Sequence, residues 1–339
     1  MFGRRLINTG GEVAIPTSFN TVTYTGDGSA NNNIGGVGFQ PDLVWIKSRN
    51  RTWWNHISDT IRGNNNTLFS NSTAVENLNV YIPSVSNTDG FTVSRTGGEG
   101  TNNSGDTYVA WCWKAGGAAV TNTDGSITSD VSANVDAGFS VVSWTGNESN
   151  ATIGHGLDTA PRVVIAKSRT YPQNWAVYHY DLGTGKWLML NGTTGSITEN
   201  IFGGVHPSAT TFSLNGNVVV NKSGTTSIAY CFAEKAGFSK FGSYGGVSTG
   251  TRQHTTDFEV AFVMIKSTNY SQGWLIYDNQ RREDNSRMLS ANSSAAEYTS
   301  NNSDLYVTFN STGFTTSGAF SGIDGNGRDY IYMAFANQF

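Results

Sequence analysis

The sequence predicts an all-β chain of three tandem β-sandwiches, jelly-roll-like and about 100 residues each. Three observations carry this. The apolar runs are short and rich in Val, Ile, Phe, Tyr and Trp; Gly, Asn, Asp and Ser bound them; and one order of features recurs three times along the chain.

Each repeat opens with an aromatic strand that runs into a glycine: Val22-Thr23-Tyr24-Thr25-Gly26, Val142-Ser143-Trp144-Thr145-Gly146 and Phe241-Gly242-Ser243-Tyr244-Gly245. A longer apolar run then ends in Lys-Ser, at Leu43–Ser48, Val163–Ser168 and Val260–Ser267. Its unbroken apolar character predicts a central strand covered on both faces. Trp54, Trp175 and Trp274 follow the lysines and read as core anchors, and Asp59, Asp181 and Asp278 come next on a short strand. Lys47, Lys167 and Lys266 are expected to pair with those acids across the sandwich edge. The closing strands are Tyr108–Trp113, Ser227–Phe232 and Tyr330–Phe335.

These features place repeats at 19–117, 138–236 and 237–339, with a polar connector at 118–137 and an arm at 1–18. Asp27-Gly28, Asp89-Gly90, Asp124-Gly125, Asn191-Gly192 and Asn215-Gly216 are read as hairpin turns that use a glycine at positive φ. Thr73–Glu76 and Ser294–Glu297 have the spacing of a capping box, enough for one helical turn.

Charged residues make up 14 % of the chain, against a typical level of about 25 %. With 18 Phe, 9 Trp and 14 Tyr the chain has ample aromatic area to bury, which excludes intrinsic disorder. A net charge of −4 without a basic stripe argues against nucleic acid as a partner. No apolar run approaches membrane-spanning length, and polar residues rather than a secretory core follow Met1–Ile7. No membrane insertion and synthesis in the cytoplasm are therefore expected.

Signatures of chemistry are few. His56, His155, His179, His206 and His254 have no metal-ligand spacing, and no nucleophile elbow, phosphate loop or dinucleotide fingerprint occurs. Asp324–Asp329 departs from a calcium loop by its Arg328 and lacks a closing Glu. Cys112 and Cys231 share a position that Ala334 takes in the third repeat, so they read as inert core thiols. No catalytic residue, cofactor or metal is expected. The binding candidates are the polar and aromatic side chains of two matching loops, Tyr171 with Gln173 and Tyr270 with Gln272. Aromatic faces beside amides suit a sugar ring.

Several phrases extend over nearly the whole chain after residue 19. They are Gly38-Phe39-Gln40-Pro41-Asp42-Leu43-Val44-Trp45-Ile46-Lys47, Thr152-Ile153-Gly154-His155-Gly156-Leu157, Asn174-Trp175-Ala176-Val177-Tyr178-His179, Ala229–Glu234 and Tyr330–Ala336. In them the chain resembles repeats in structural proteins of marine tailed bacteriophages, tail-fibre or other appendage proteins among them. The resemblance implies a non-enzymatic virion component on the outer surface, a tail, fibre or capsid-decoration part whose partners are other virion proteins, and it brings no catalytic residues with it. On that reading Arg4, Arg5, Leu6 and Ile7 of the arm dock the protein to the particle, and the chain forms a homo-oligomer, a trimer by the symmetry of such appendages. The alternative is a module that binds a host-surface polysaccharide through the aromatic loops.

Overall fold

In each unit the opening strand pairs antiparallel with the closing strand, which therefore lies inside the sheet and is covered on both faces. The registers are Phe19 opposite Trp113, Phe139 opposite Phe232 and Ser239 opposite Phe335. The Lys-Ser strand pairs on the other side of the closing strand, with Leu43 opposite Trp113, Val163 opposite Phe232 and Phe262 opposite Phe335. These matched registers define equivalent positions in the three units. The computed structural model describes residues 18–78, 84–94, 100–247, 249–281, 287–299, 307–318 and 320–337. Arg4, Arg5, Leu6 and Ile7 lie outside them.

Beyond the Lys-Ser strand, the large sheet of unit 1 continues through His56–Asp59, Asn66–Phe69 and Asn77–Leu78. Unit 2 continues through Ala176–His179, Lys186–Met189 and Ile197–Thr198, and unit 3 through Leu275–Asp278 and Leu289–Ser290. A small sheet covers one face of each: Asn32–Ile34, Gly90–Val93 and Ser84–Asn87 in unit 1, Ala151–Gly154 with Thr211–Leu214 in unit 2, and Thr251–Thr255, Gly313–Ser317 and Val307–Asn310 in unit 3. The protein is all-β and sandwich-like.

Period-2 alternation sends the two sides of the closing strand to different cores in units 1 and 2, while in unit 3 both sides join one continuous core. In unit 1, Tyr108, Ala110 and Cys112 pack with Ile34, Phe91 and Val93 under the small sheet. In unit 2, Ala229 and Cys231 pack likewise with Ile153, Phe212 and Leu214. The two cysteines are free and buried, and burial pushes both thiols up.

The opposite faces meet in one shared core. Val109, Trp111 and Trp113, then Ile228, Tyr230 and Phe232, then Ile331, Met333 and Phe335 all belong to it. The equivalent rings of Trp113, Phe232 and Phe335 lie 6.2, 5.7 and 5.7 Å from one another, a near-equilateral triangle around a pseudo-threefold axis. Phe19 closes on two of them, at 4.9 Å from Trp113 and 5.3 Å from Phe335. Aromatic pairs of this kind add about 0.5–1.5 kcal/mol each beyond the area they bury. The three units thus form a closed ring around a common centre.

Three local expectations need correction. The segment 118–137 is not a free connector: Val120–Asn122 and Ser129–Asn134 extend the large sheet of unit 2. Val131, buried in the private core of that unit, supplies the reason. Thr73–Glu76 and Ser294–Glu297 are not helical; Glu76 and Glu297 donate their backbone N–H to Arg169 and Arg49 of neighbouring units instead. Of the five Gly turns only Gly28 and Gly90 adopt positive φ. Gly125 serves close approach, since a Cβ there would collide with the Thr152 carbonyl.

Candidate functional site

Among the described residues, buried lysines, arginines and acids gather where one unit meets the next. At every junction a side chain of the following unit reaches a carbonyl of the preceding one. Trp175 Nε1 donates to the Phe69 carbonyl at 2.8 Å, and Trp274 Nε1 to that of Met189 at 2.8 Å. The equivalent position in unit 1 is Asn55, not Trp54, and its Nδ2 donates to the carbonyls of Ser290 and Ala291 at 3.1 and 2.9 Å. Trp54 stands partly exposed, edge-on to Phe69 at 4.6 Å. Trp175 and Trp274 are buried as expected.

Lys167 and Lys266 do the same work, and none of the three lysines pairs with the acids. Lys167 Nζ donates to Ser168 of its own unit at 2.7 Å and across the junction to the Thr73 carbonyl at 3.4 Å. Lys266 Nζ likewise donates to Ser267 and Thr193 at 2.9 and 3.0 Å. Burial holds both amines down at about 8. Lys47 Nζ is buried with no hydrogen-bond partner among the described residues, and burial, aided by Arg281, holds it at about 7.

Asp59 and Asp278 instead bind arginines three residues on. Between units 1 and 2, Arg62 pairs with Asp59 and, at 3.1 Å, with Glu76, both partners being largely buried. Glu76 also pairs with Arg169 of unit 2 at 2.8 Å. The Tyr230 hydroxyl of unit 2 donates to Asp59 at 2.7 Å. Burial opposes the Arg62 charge, yet Asp59, Tyr230 and Glu76 hold the guanidinium above its ordinary value. Between units 3 and 1, Arg281 pairs with Asp278 at 2.7 Å and with Glu297 at 2.9 Å, and Glu297 reaches Arg49 of unit 1 at 3.1 Å. Trp111 Nε1 of unit 1 donates to Asp278 at 2.9 Å.

The third junction lacks this network. The position of Asp59 and Asp278 is His179 in unit 2; Asp181 lies two residues further, in the 3-10 turn Tyr180–Leu182, beside Arg162 at 3.7 Å. Leu182 stands where Arg62 and Arg281 do, Ser196 where Glu76 and Glu297 do, and Thr268 where Arg49 and Arg169 do. Met333, whose side chain has no N–H or O–H, stands in place of Trp111 and Tyr230. His179 Nε2 donates to the backbone carbonyl of Tyr332 at 3.2 Å, and burial holds the imidazole down at about 4. Of the bonds made by Glu76 and Glu297, the backbone one is kept here, from Ser196 N–H to the Thr268 carbonyl at 2.6 Å.

The loops expected to meet sugar border these junctions. Tyr270 is 49 % exposed, with the Arg328 guanidinium 3.5 Å above its ring, and Tyr171 carries Lys222 at 4.9 Å. Gln173 and Gln272 are half-buried. Gln272 N–H and the Ser271 hydroxyl both donate to Thr193 of unit 2, at 2.8 and 3.2 Å, so this loop is partly engaged within the ring. The structure keeps Tyr171 and Tyr270 in separate units.

One buried set looks like a relay. His254 Nε2 lies 2.8 Å from the Thr316 hydroxyl, which donates to Asp324 at 2.6 Å. With its proton committed to Asp324, Thr316 accepts from His254, and the set clips the small sheet of unit 3 to the turn Ser321–Asp324. Among the described residues, no group of three or more His, Cys, Asp or Glu side chains is placed to hold a metal ion.

The signal for the junction residues was present in the sequence as matched Asp-x-x-Arg pairs at Asp59 and Asp278 and matched Glu76 and Glu297. A family described as a domain of unknown function (DUF7483) matches residues 16–338. No curated protein and no solved structure matches the chain.

Proposed function

The chain belongs to the DUF7483 family, a domain of unknown function, and we propose that it is a non-enzymatic bacteriophage virion protein. In this reading it is an outward-facing tail, fibre or capsid-decoration component that acts in particle assembly. The observation that supports it is the closed ring of three sandwiches on the Trp113, Phe232 and Phe335 triangle, with buried side chains bonded across all three junctions. Such cross-linking opposes local opening, which a part exposed on a particle must resist. Arg4, Arg5, Leu6 and Ile7 supply the docking contacts to other virion proteins. A homotrimer has a competing account, because one chain already makes a threefold-like body; light scattering decides between one copy and three.

Mass spectrometry and electron microscopy of purified particles test this reading. The chain is expected in stoichiometric amount at a fixed site, and deletion of residues 2–18 is expected to reduce incorporation. Its absence from purified particles defeats the proposal. A glycan-binding role is favoured by a different observation, an open cleft of about 330 Å3 lined by the uncharged Ser126, Asn150, Thr152, Asn200, Ser213 and Asn215. Amides and hydroxyls without charge suit a neutral polyhydroxylated ligand. Saturable binding on a glycan array, lost in N200A or N215A, would move this role to first place.

A further inference from the structure

The junctions differ in what fills one equivalent space. Arg62, Glu76 and Arg169 occupy it between units 1 and 2, and Arg281, Glu297 and Arg49 between units 3 and 1. Between units 2 and 3 the shorter Leu182, Ser196 and Thr268 leave a cleft of about 310 Å3, which Asp181, Lys186 and Asp329 also line. We propose that this cleft binds a guanidinium group from outside the chain, in the space that arginines of the protein itself fill at the two sister junctions.

The lining chemistry favours that group. Asp181 lines the cleft from unit 2 and Asp329 from unit 3, so each unit offers a carboxylate to a planar donor fork. Arg162 stands 3.7 Å from Asp181, beyond hydrogen-bond distance, and Asp329 accepts from Asn269 at 3.1 Å, which leaves acceptor capacity on both acids. The hydroxyls of Ser196 and Thr268 add acceptors on the same walls. Lys186 is exposed and its ammonium is free to turn to water; its register counterpart Asn66 offers a backbone carbonyl to Arg62 at 3.3 Å. The inference does not rest on the virion reading.

The guanidinium has two sources, free arginine or an arginine side chain of a partner polypeptide. Amide shifts of the full chain are followed by NMR during titration with N-acetyl-L-arginine N-methylamide, free L-arginine and the capped citrulline analogue, which is neutral and of similar shape. Capped arginine is expected to give saturable shifts confined to residues around 181–186, 196, 243–245, 268 and 329–331, and citrulline none. D181N and D329N should each weaken binding about tenfold, the loss of one charge-assisted pair. Filling the cleft from within, by L182R with S196E and T268R, should abolish it. Capped arginine binding better than free arginine identifies a polypeptide side chain as the source; the reverse identifies the free amino acid. No saturable shift, equal binding of citrulline, or undiminished binding by a folded filled variant would overturn the proposal.

Discussion

The junction between units 1 and 2 and the junction between units 2 and 3 share a backbone register and use opposite side-chain chemistry. Both place an aromatic N–H of the following unit on a carbonyl of the preceding one, through Trp175 and Trp274, and both use a buried lysine in the same way. The first adds Asp59, Arg62, Glu76, Arg169 and Tyr230; the second replaces the whole set with His179, Leu182, Ser196, Thr268 and Met333. The members change together because no one of them is tolerable alone: a buried Asp without Arg, or an Arg without either acid, is an uncompensated charge. The two junctions are therefore two self-consistent answers to one geometry, one ionic and one nearly neutral.

Breaking one partner at the ionic junction should have the largest effect. R62L leaves Asp59 and Glu76 buried and opposed, and should cost about 3–5 kcal/mol of unfolding free energy in urea. The same charge change at position 182 is absent by nature, so L182A should lose only packing. A pH series separates the junctions next. The folded His179 value of about 4 lies below its ordinary 6.5, so between these values the unfolded chain binds more protons. Stability conferred by neutral His179 is present above about pH 6.5 and is lost as pH falls to about 4, by up to about 3 kcal/mol. His155 and His254, also held down by burial, add in the same sense. H179Q should flatten this dependence by its own share; an unchanged profile would show that the imidazole is not sealed in the ring.

Exchange of the complete set sharpens the contrast further. The variant D59H/R62L/E76S/R169T/Y230M gives the first junction the chemistry of the second, and should cost less than R62L alone, under about 2 kcal/mol. A larger loss would mean that the ionic set does more than compensate itself. The smallest effect is expected in the private cores: C112A and C231A each remove one buried sulfur from a position that holds Ala334 in unit 3. Each should cost about 1 kcal/mol, and both thiols should resist a thiol reagent until the protein unfolds.

Repeats, strands and the doubly covered central strands were legible because they are written in composition and alternation. The shared centre was not, because Trp111 and Cys112 are both apolar and nothing in Tyr108–Trp113 says which alternate face meets a small sheet and which meets two other units. Position errors of one and two residues hid the junction code. Trp54 sits beside the true counterpart Asn55, and Asp181 sits two places beyond His179, so residue identity misled where register decides. Lys167 and Lys266 illustrate a different limit: across the junction their acceptors are backbone carbonyls of another unit, and carbonyls carry no sequence signature. The exposed aromatic of the Tyr270 loop was readable, but its engagement with Arg328 and Thr193 depends on contacts distant in sequence.

The Trp113, Phe232 and Phe335 triangle has a consequence for how such a body can vary. In an assembly of identical subunits a substitution at the axis is imposed in triplicate, and the body falls apart on dilution. Here the three corners are separate codons on one strand of polypeptide, so each wall around the axis can change alone and the ring closes by a unimolecular reaction. Its melting temperature should not move with protein concentration. A molecule so wired can dedicate one of its three seams to a new task while the other two hold it shut.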